Sequence, residues 1–461
     1  MLDTIVAVNT WLNGIVWGPP FMVLLVATGV YLTIRLGFFQ FRRLGFAWRQ
    51  SFGGLLRRDR PAAAGAISPF QAAAAAMAGT IGVGNIAGVA TAIALGGPGA
   101  VFWMWLVALV GMATKMCEAT LGVKYRHQHP DGTMSGGVFW YIEKGLGRGW
   151  RWLGVLYALF AGFAAFGIGN MVQSNTVAQS LALGFGLPEW STGIALVVLV
   201  GAVTLGGIKR IGATAELVVP FMAIVYLLGC LIVLALYAGE IPGALASIFR
   251  HAFAPAPAAG GFAGAAVAEA IRYGIARGIF SNEAGLGSAS MAHAQARNRP
   301  FAQGCWGIWE VFIDTLVVCT GTALVILVTG VLDSGANGAA LTSAAFAAGL
   351  GGVGHYVVLI GVTLFAYTTM LTWNFYGEKS WEYLFGRWVV VPYRVVFLAF
   401  LYVGAVGGLE LVWDLADTLN GLMAAPNLIA LVLLAGVMVR EKREFFARPE
   451  GTEPGPAEAE G

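Results

Sequence analysis

The sequence contains a short stretch, GVGNIA at residues 82–87, with the glycine spacing of a dinucleotide-binding loop. Such a loop must follow a β-strand and needs an acidic residue about 20 positions later. Here the stretch follows an alanine-rich run of helical character, and the next acidic residue is Glu118. The pattern therefore argues against nucleotide binding, and nothing in the composition predicts a nucleic-acid partner.

The same glycines predict either a broken helix or a tightly packed one. Gly79, Gly82 and Gly84 lie within six residues and weaken a helix. A broken helix presents unpaired N–H and C=O groups, which bind anions at one end and cations at the other. Gly84 and Gly88 also have the spacing of a close helix–helix contact. The motif alone leaves both interpretations open.

A second glycine-rich stretch, ARGIFSNEAGLGSA at residues 276–289, favours the broken helix. Polar Ser281, Asn282 and Glu283 interrupt an apolar run that contains several glycines. Asn282 is expected to cap a second half-helix, and Glu283 suits the positive first turn of that half-helix. Interrupted helices at matching places in two oppositely oriented halves indicate a transporter built from inverted repeats.

Two further segments carry polar side chains that could face these breaks. Phe166, Asn170 and Gln173 are spaced i, i+4, i+7 and are predicted to share one helix face. They could line a polar substrate site or bond neighbouring helices. Thr368 and Thr369 could bind Na⁺, a hard cation that prefers oxygen ligands, or could bond back to their own helix.

Charged residues inside apolar segments are functional candidates by default. Two pairs have i, i+3 spacing and are interpreted as structural or gating pairs: Lys115 with Glu118, and Glu269 with Arg272. Glu310 and Asp314 are spaced i, i+4 and have no obvious partner. They could form a proton relay or pair with Arg277.

The composition is that of a membrane protein: 58% of residues are hydrophobic, 11% are charged, and the mean hydropathy is +0.75. The four cysteines are scattered singly, which indicates neither disulfides nor a zinc site. Eleven apolar segments are each long enough to cross a bilayer as a helix. They are residues 12–34, 68–94, 99–123, 152–182, 190–208, 213–238, 262–294, 302–331, 354–384, 390–409 and 417–439.

The distribution of Lys and Arg predicts the orientation of these segments. If the loop 35–60 is cytoplasmic, 23 of the 27 basic residues fall on the cytoplasmic side. This predicts an external N-terminus and a cytoplasmic C-terminus, which requires an odd number of crossings. Residues 1–440 are thus predicted to form one transmembrane domain, and the Pro-, Glu- and Gly-rich residues 441–461 a disordered cytoplasmic tail.

Several stretches resemble the alanine or glycine:cation symporter family. They are GGPGAVFWMWLVALVG (96–111), TKMCEATLGVKYR, GNMVQSN, ARGIFSNEAGLGSA and TTMLTWNFYGEKS. The resemblance implies an all-α, leucine-transporter-type fold with an extra N-terminal helix (12–34) and two inverted five-helix repeats (68–238 and 262–439). The implied activity is Na⁺-coupled uptake of alanine, glycine or both across the plasma membrane, with no cofactor besides the coupling ion.

The resemblance also implies site residues. The substrate carboxylate is expected at Gly82, Gly84 and Asn85, and carbonyls from Arg277 through Gly278 to Ile279 are expected to face the ammonium. Residues expected to enclose the small side chain are Phe166, Gln173, Ile279, Thr369 and Trp373. The expected sodium ligands are the carbonyls of Ala78, Ile81 and Phe365 and the hydroxyls of Thr368 and Thr369.

Two rival classes are less consistent with the sequence. A channel needs a continuous polar pore, whereas this chain has two short breaks; saturable uptake with a fixed ion:substrate ratio would exclude a channel. A membrane enzyme is disfavoured because the chain has neither H-E-x-x-H nor G-x-S-x-G. The sequence leaves open the choice among alanine, glycine and a D-amino acid, the use of Na⁺ or H⁺, and the oligomeric state.

Overall fold

The computed structural model describes residues 2–54, 67–253, 263–407 and 410–447, and helices dominate these ranges. The first thirteen helices are α1 (Leu2–Val16), α2 (Pro19–Arg35), α3 (Phe39–Arg42), α4 (Leu44–Ser51), α5 (Pro69–Thr80), α6 (Ala87–Gly96), α7 (Gly99–Lys124), α8 (Val138–Gly145), α9 (Arg151–Phe166), α10 (Val172–Phe185), α11 (Glu189–Thr204), α12 (Gly207–Leu236) and α13 (Ile241–Phe253). The other nine are α14 (Ala263–Asn282), α15 (Ser290–His293), α16 (Pro300–Val311), α17 (Thr320–Val328), α18 (Gly338–Leu350), α19 (Gly352–Phe385), α20 (Val390–Val406), α21 (Glu410–Leu433) and α22 (Ala435–Ala447).

Shorter elements connect or interrupt these helices. Two π-helices, Gly167–Met171 and Phe312–Cys319, join α9 to α10 and α16 to α17. The 3₁₀ turns are Phe52–Gly54, Val83–Asn85, Arg148–Trp150, Ala238–Glu240, Val331–Ser334 and Arg387–Val389. Strands β1 (His127–Gln128) and β2 (Met134–Ser135) form a small antiparallel hairpin.

Within the described ranges, eight helices are long and apolar enough to cross a membrane, or nine if the bent pair α5–α6 is one span. The eleven predicted segments include two that do not reach this standard. Helix α11 has 16 residues and spans only about 24 Å. Helix α14 contains Glu269, Arg272 and Arg277. The chain is thus a helical multi-pass membrane protein.

Large apolar side chains are exposed on the outside of the bundle, as a lipid environment requires. Leu217, Phe221 and Leu231 of α12 are 75%, 58% and 60% exposed, respectively. On a soluble protein such a surface would aggregate, whereas hydrocarbon solvates it.

The first predicted break is confirmed. Helix α5 starts at a capping box formed by Ser68 and Gln71 and ends at Thr80. Ile81 and Gly82 then adopt extended conformations, and α6 leaves at 57° to α5. The glycines around residue 82 lower the helical propensity, so the helix breaks there.

The second predicted break is also present, but its form differs from the expectation. Helix α14 continues to Asn282, so this residue ends a helix and does not cap the next one. Glu283, Gly285 and Gly287 have left-handed φ angles of 55°, 101° and 78°, respectively. These conformations keep the chain unwound until α15 begins at Ser290.

The predicted disordered tail begins too early. Residues 441–447 belong to helix α22, in which Ala435, Met438 and Glu441 are buried, because this i, i+3, i+6 face packs on the bundle. Residues 448–461 lie outside the described residues. The same is true of residues 55–66, which contain three of the arginines used to orient the chain.

Glycines let α16 lie directly against α7, which positions the charged residues of α7. A Cβ built on Gly307 would lie 2.7 Å from the carbonyl oxygen of Lys115, and one on Gly304 would lie 2.1 Å from Thr120 Oγ1. Only small residues allow membrane helices to approach so closely. This contact holds Lys115 and Glu118 in the interior of the bundle, where both are buried.

Candidate functional site

The first break frees a carbonyl group that an intact helix would use. The Gly82 N–H donates to Asn85 Oδ1 at 2.8 Å, whereas an unbroken helix would direct it to the Ala78 carbonyl. The Ala78 oxygen instead accepts from Thr369 Oγ1 at 3.2 Å, and the same hydroxyl lies 2.9 Å from the Phe365 oxygen. Helices α5 and α19 thus share a cluster of oxygen atoms at the break.

The remaining predicted sodium ligands border this cluster. Thr368 Oγ1 lies 3.0 Å from the Phe365 oxygen and 3.2 Å from the Leu364 oxygen. Ile81 is fully buried, and its extended backbone takes the chain out of α5. The donors are carbonyls and hydroxyls, a set that suits Na⁺ and lacks the softer ligands of transition metals.

Asn85 organises the break and links it to Asp314. Its Nδ2 donates to Asp314 Oδ1 at 2.6 Å. The hydroxyls of Ser281 and Thr315 donate to the same carboxylate at 2.8–3.1 Å. Asp314, on the π-helix Phe312–Cys319, therefore connects both broken helices through neutral donors. It forms no ion pair among the described residues, so the predicted pairing with Arg277 is not found.

Glu310 has a different partner from Asp314. Its Oε1 lies 2.6 Å from His293 Nε2, and both side chains are completely buried. His293 Nδ1 is in turn 2.9 Å from Gln303 Nε2. Arg277 does not contact Glu310; its guanidinium lies 5.5 Å from the centre of the Phe280 ring. Glu310 and Asp314 thus lie in two separate environments despite their i, i+4 spacing.

Lys115 and Glu118 of α7 stabilise the unwound backbone at the second break. The interpretation of these residues as an i, i+3 pair did not predict this role. Lys115 Nζ donates to the Asn282 carbonyl at 3.0 Å, which is the C-terminal end of α14. Glu118 Oε1 accepts from the backbone N–H groups of Gly285 and Gly287 at 2.9 and 3.1 Å, respectively. Unpaired backbone groups are costly in a membrane interior, so each charge satisfies part of the unwound segment. Lys115 and Glu118 make no ion pair with each other.

The other predicted pair is confirmed. Arg272 Nη1 lies 4.0 Å from Glu269 Oε2, and both side chains are 45% exposed. Such an exposed pair contributes little to stability.

Further side chains from distant helices also hold the second break. Asn427 Nδ2 donates to Glu118 Oε1 at 2.7 Å and to the Gly285 carbonyl at 2.8 Å. Tyr157 donates its hydroxyl to the Leu286 carbonyl at 3.0 Å. Asn427 was not predicted as a site residue; an amide within an apolar segment was the available signal.

Trp373 connects the second break to α19. Its indole N–H donates to Glu283 Oε1 at 3.0 Å, and Ser288 donates its hydroxyl to Glu283 Oε2. A Cβ built on Gly169 would lie only 2.0 Å from Trp373 Cβ, so the indole packs tightly against the π-helix Gly167–Met171. Trp373 is 1% exposed.

A cavity of about 590 Å³ lies next to the first break. Gly84, Gln173, Arg277 and Phe280 line it together with residues of α6, α10, α18 and α19. Gln173 Oε1 is buried and has no hydrogen-bond partner among the described residues, so it is available to a ligand. Gly82, Thr369 and Trp373 do not line this open cavity.

Phe166 is not brought to the cavity. Its ring packs against Tyr393, Phe397 and Phe400 of α20 at centroid distances of 5.3, 6.2 and 5.1 Å, respectively. The π-helix Gly167–Met171 has more residues per turn than an α-helix and changes the register. Phe166 and Gln173 therefore do not share the face that i, i+7 spacing predicted.

Gly278 and Ile279 lie in the regular part of α14. The Ile279 carbonyl accepts from the Glu283 N–H at 2.8 Å, so it is not a free group at the break. A Cβ on Gly278 would lie 2.8 Å from Val107 Cγ1, which shows that this glycine packs against α7. The carbonyls at 277–279, which were expected to face the ammonium, therefore lie within a regular helix, because α14 unwinds only after Asn282.

A helical membrane protein with two unwound helices, freed backbone groups and a cavity beside the first break has the architecture of a secondary transporter. The chain belongs to the sodium:alanine symporter family, whose family model matches residues 2–456. It is therefore a symporter and not an enzyme.

Individual proteins support this assignment. The chain is 48% identical to the sodium/alanine symporter AgcS of Methanococcus maripaludis, with 96% of this chain and 98% of that protein covered. It is 38% identical to the probable sodium/glutamine symporter GlnT of Bacillus subtilis, with 94% and 89% covered. The crystal structure of MhsT in complex with L-phenylalanine has the same fold, with a TM-score of 0.59 at 12% identity over 82% of this chain and 98% of that one.

Proposed function

We propose that this protein imports alanine, glycine or both, coupled to Na⁺, across the plasma membrane. The observation that carries the proposal is the freed Ala78 carbonyl, which lies 3.2 Å from Thr369 Oγ1 at the first break. Breaks of this kind bind the coupling ion and a zwitterionic substrate in transporters.

The proposed sodium site consists of the carbonyls of Ala78, Ile81 and Phe365 and the hydroxyls of Thr368 and Thr369. The Thr369 hydroxyl can turn its hydrogen away and offer a lone pair to the ion. Because these ligands come from both α5 and α19, a bound cation would hold the two helices together.

The proposed substrate site extends from the first break towards Gln173 and Trp373. Gly82 and Gly84 would let the substrate carboxylate approach the backbone, with Asn85 holding the break in shape. Gln173 offers an unpaired oxygen to the ammonium. Thr369 and Trp373 would limit the side chain to a small one. Gly278 and Ile279 would back this site from α14, and Phe166 would support it from behind.

We further propose eleven crossings, as one N-terminal helix and two inverted five-helix repeats, with the N-terminus outside and the C-terminus in the cytoplasm. Helix α11 exposes apolar Val198 (62%) and Leu199 (54%), as a short crossing in contact with lipid would, and the Glu269–Arg272 pair offsets two of the charges of α14. In this orientation the 590 Å³ cavity opens to the outside, because its α10 wall leads away from the basic loops. Na⁺ and substrate would together favour closure of this cavity and opening on the other side.

Uptake of labelled alanine into proteoliposomes tests the proposal, with an inward Na⁺ gradient, a pH gradient or neither. Uptake that requires Na⁺ and competes with glycine is expected. Uptake driven by the pH gradient alone would contradict Na⁺ coupling and implicate Glu310 and Asp314, two buried carboxylates without a basic Lys or Arg partner among the described residues. Competition by glutamine alone, without alanine uptake, would overturn the proposed substrate.

A further inference from the structure

A second cavity, of about 430 Å³, lies far from the transport site in sequence, between the end of α2 and helix α22. Its lining residues are Gly37, Phe39, Arg42, Arg43, Lys442 and Phe446. Three of these six residues are cations, and the described part of the chain contributes no acidic residue to the lining. The cavity is therefore strongly positive.

The three cations converge without being neutralised. Lys442 Nζ donates to the Leu36 carbonyl at 2.6 Å. Burial lowers the pKa of Lys442, and the charges of Arg42 and Arg43 lower it further. Neither guanidinium makes a hydrogen bond or an ion pair within the described part of the chain, although the backbone N–H groups of Arg42 and Arg43 donate to the Phe38 and Phe39 carbonyls. Like charges held this close repel one another, and a bound anion would relieve that repulsion.

A fixed backbone turn holds the two arginines in place. Gly37 and Phe38 have left-handed φ angles of 67° and 57°, a backbone conformation that residues other than glycine rarely adopt. The Phe38 N–H donates to the Thr33 carbonyl at 2.8 Å, which closes the end of α2. The turn thus reverses the chain so that α3 presents Arg42 beside α22.

The cavity lies where the headgroups of a bilayer would be. The apolar span Val6–Arg35 ends two residues before the cavity begins. Phe38 and Phe41 flank it and Phe446 lines it; their side chains are 47%, 46% and 46% exposed, respectively. Clustered cations just beyond the end of a span attract anionic headgroups, and exposed apolar rings beside them can lie against the upper acyl chains.

We propose that this cavity binds the phosphate group of an anionic phospholipid, with Arg42, Arg43 and Lys442 as its ligands. The exposed phenylalanines contact the glycerol and upper acyl region, which favours a lipid over soluble phosphate. The proposal is independent of transport, because lipid binding is measured without Na⁺ or amino acid.

Native mass spectrometry of the purified full-length chain tests the proposal by titration with phosphatidylglycerol, phosphatidylcholine or inorganic phosphate. We expect selective retention of phosphatidylglycerol. The affinity should fall about fivefold in Arg42→Gln and roughly 25-fold in Arg42→Gln/Arg43→Gln, at about fivefold for each removed cation. The matched control is Arg49→Gln, which removes an exposed arginine of α4 that does not line the cavity and should leave the affinity unchanged.

Three results would overturn the proposal. They are equal binding of the two lipids, an equal loss in Arg49→Gln, or binding of inorganic phosphate that fully blocks phosphatidylglycerol at equal concentration. If the double variant is not monodisperse, the single variant still decides, because a fivefold loss is measurable.

Discussion

At the scale of single residues, Thr369 is the hydroxyl on which the proposed ion site depends. It reaches a carbonyl that has lost its helical partner, whereas Thr372, one turn further along α19, donates to the Ala75 carbonyl at 2.9 Å within the intact part of α5. The two threonines therefore make similar bonds to different kinds of acceptor. We therefore expect only Thr369 to exchange its bond to a carbonyl for a bond to an ion.

Thr369→Val should raise the half-saturating Na⁺ concentration for alanine uptake about tenfold, because one oxygen ligand is lost. Thr369→Ser keeps the oxygen and should remain near the wild type. Thr372→Val is the matched control and should change the Na⁺ dependence little. Equal effects of Thr369→Val and Thr372→Val in proteoliposome uptake would contradict the assignment of Thr369.

Gly82 is required by space as well as by flexibility. A Cβ at this position would lie 2.7 Å from Thr369 Oγ1, closer than real contacts allow. Gly82→Ala should therefore displace the hydroxyl, at a cost of about 1–3 kcal/mol, and reduce uptake at least tenfold. Gly45→Ala in α4, where no described neighbouring atom lies within 4 Å of the added Cβ and which does not line the 590 Å³ cavity, should fold and transport normally. Normal uptake by Gly82→Ala would refute the close contact.

At the scale of elements, the two broken helices are stabilised in different ways. The first break is satisfied by neutral hydroxyls and an amide, mainly through Asn85 and Thr369. The second break is held by the fixed charges of Lys115 and Glu118. Fixed protein charges already satisfy the second break, which is consistent with the proposed Na⁺ site at the first break.

Glu118→Gln should lower the free energy of unfolding by about 2 kcal/mol, because the Gly285 and Gly287 amides lose a charged acceptor. The change in stability is measured by heating the protein in detergent and recording the loss of its monodisperse peak in size-exclusion chromatography. Glu269→Gln is the control: it removes a half-exposed carboxylate of α14 and should cost about 0.5 kcal/mol or less. Equal stability of Glu118→Gln and the wild type would show that the second break does not need this charge.

At the scale of the whole molecule, the 590 Å³ cavity is open on one side of the protein, whereas the region around Trp373 is tightly packed. The four native cysteines are all buried, so an introduced cysteine can be labelled selectively. Ser180 lines the open cavity, and Arg49 is exposed at the end that carries the basic loops. These two positions report on opposite faces.

Ser180→Cys in right-side-out vesicles should react with a membrane-impermeant maleimide, and Na⁺ plus alanine should slow the reaction at least fivefold, because they favour closure of the cavity. Arg49→Cys should react only after the membrane is opened. Labelling of Arg49→Cys from outside would reverse the proposed orientation. A labelling rate at Ser180→Cys that is insensitive to ligands would contradict alternating access.

Much of the architecture could be predicted from the sequence, because it depends on local properties. Apolar length identified most of the membrane spans, and the low helix propensity of clustered glycines identified both breaks. Thr368 and Thr369 could be named because they lie on an ordinary α-helix, where spacing gives direction. Gly82 and Gly84 were found by similar local reasoning, whereas the Ala78 carbonyl was named only from the resemblance to the symporter family.

The choice of partners was decided only by the tertiary structure. Spacing suggested that Lys115 pairs with Glu118. Glycine contacts instead bring the end of α14 and the unwound segment after it alongside α7. There Lys115 and Glu118 bind backbone groups that have no helical partner. The π-helix Gly167–Met171 separated Phe166 from Gln173, since their predicted common face assumed a constant 3.6 residues per turn. Sequence determines where a chain can cross the membrane and where it must unwind, whereas packing between distant segments determines which group satisfies each unwound end.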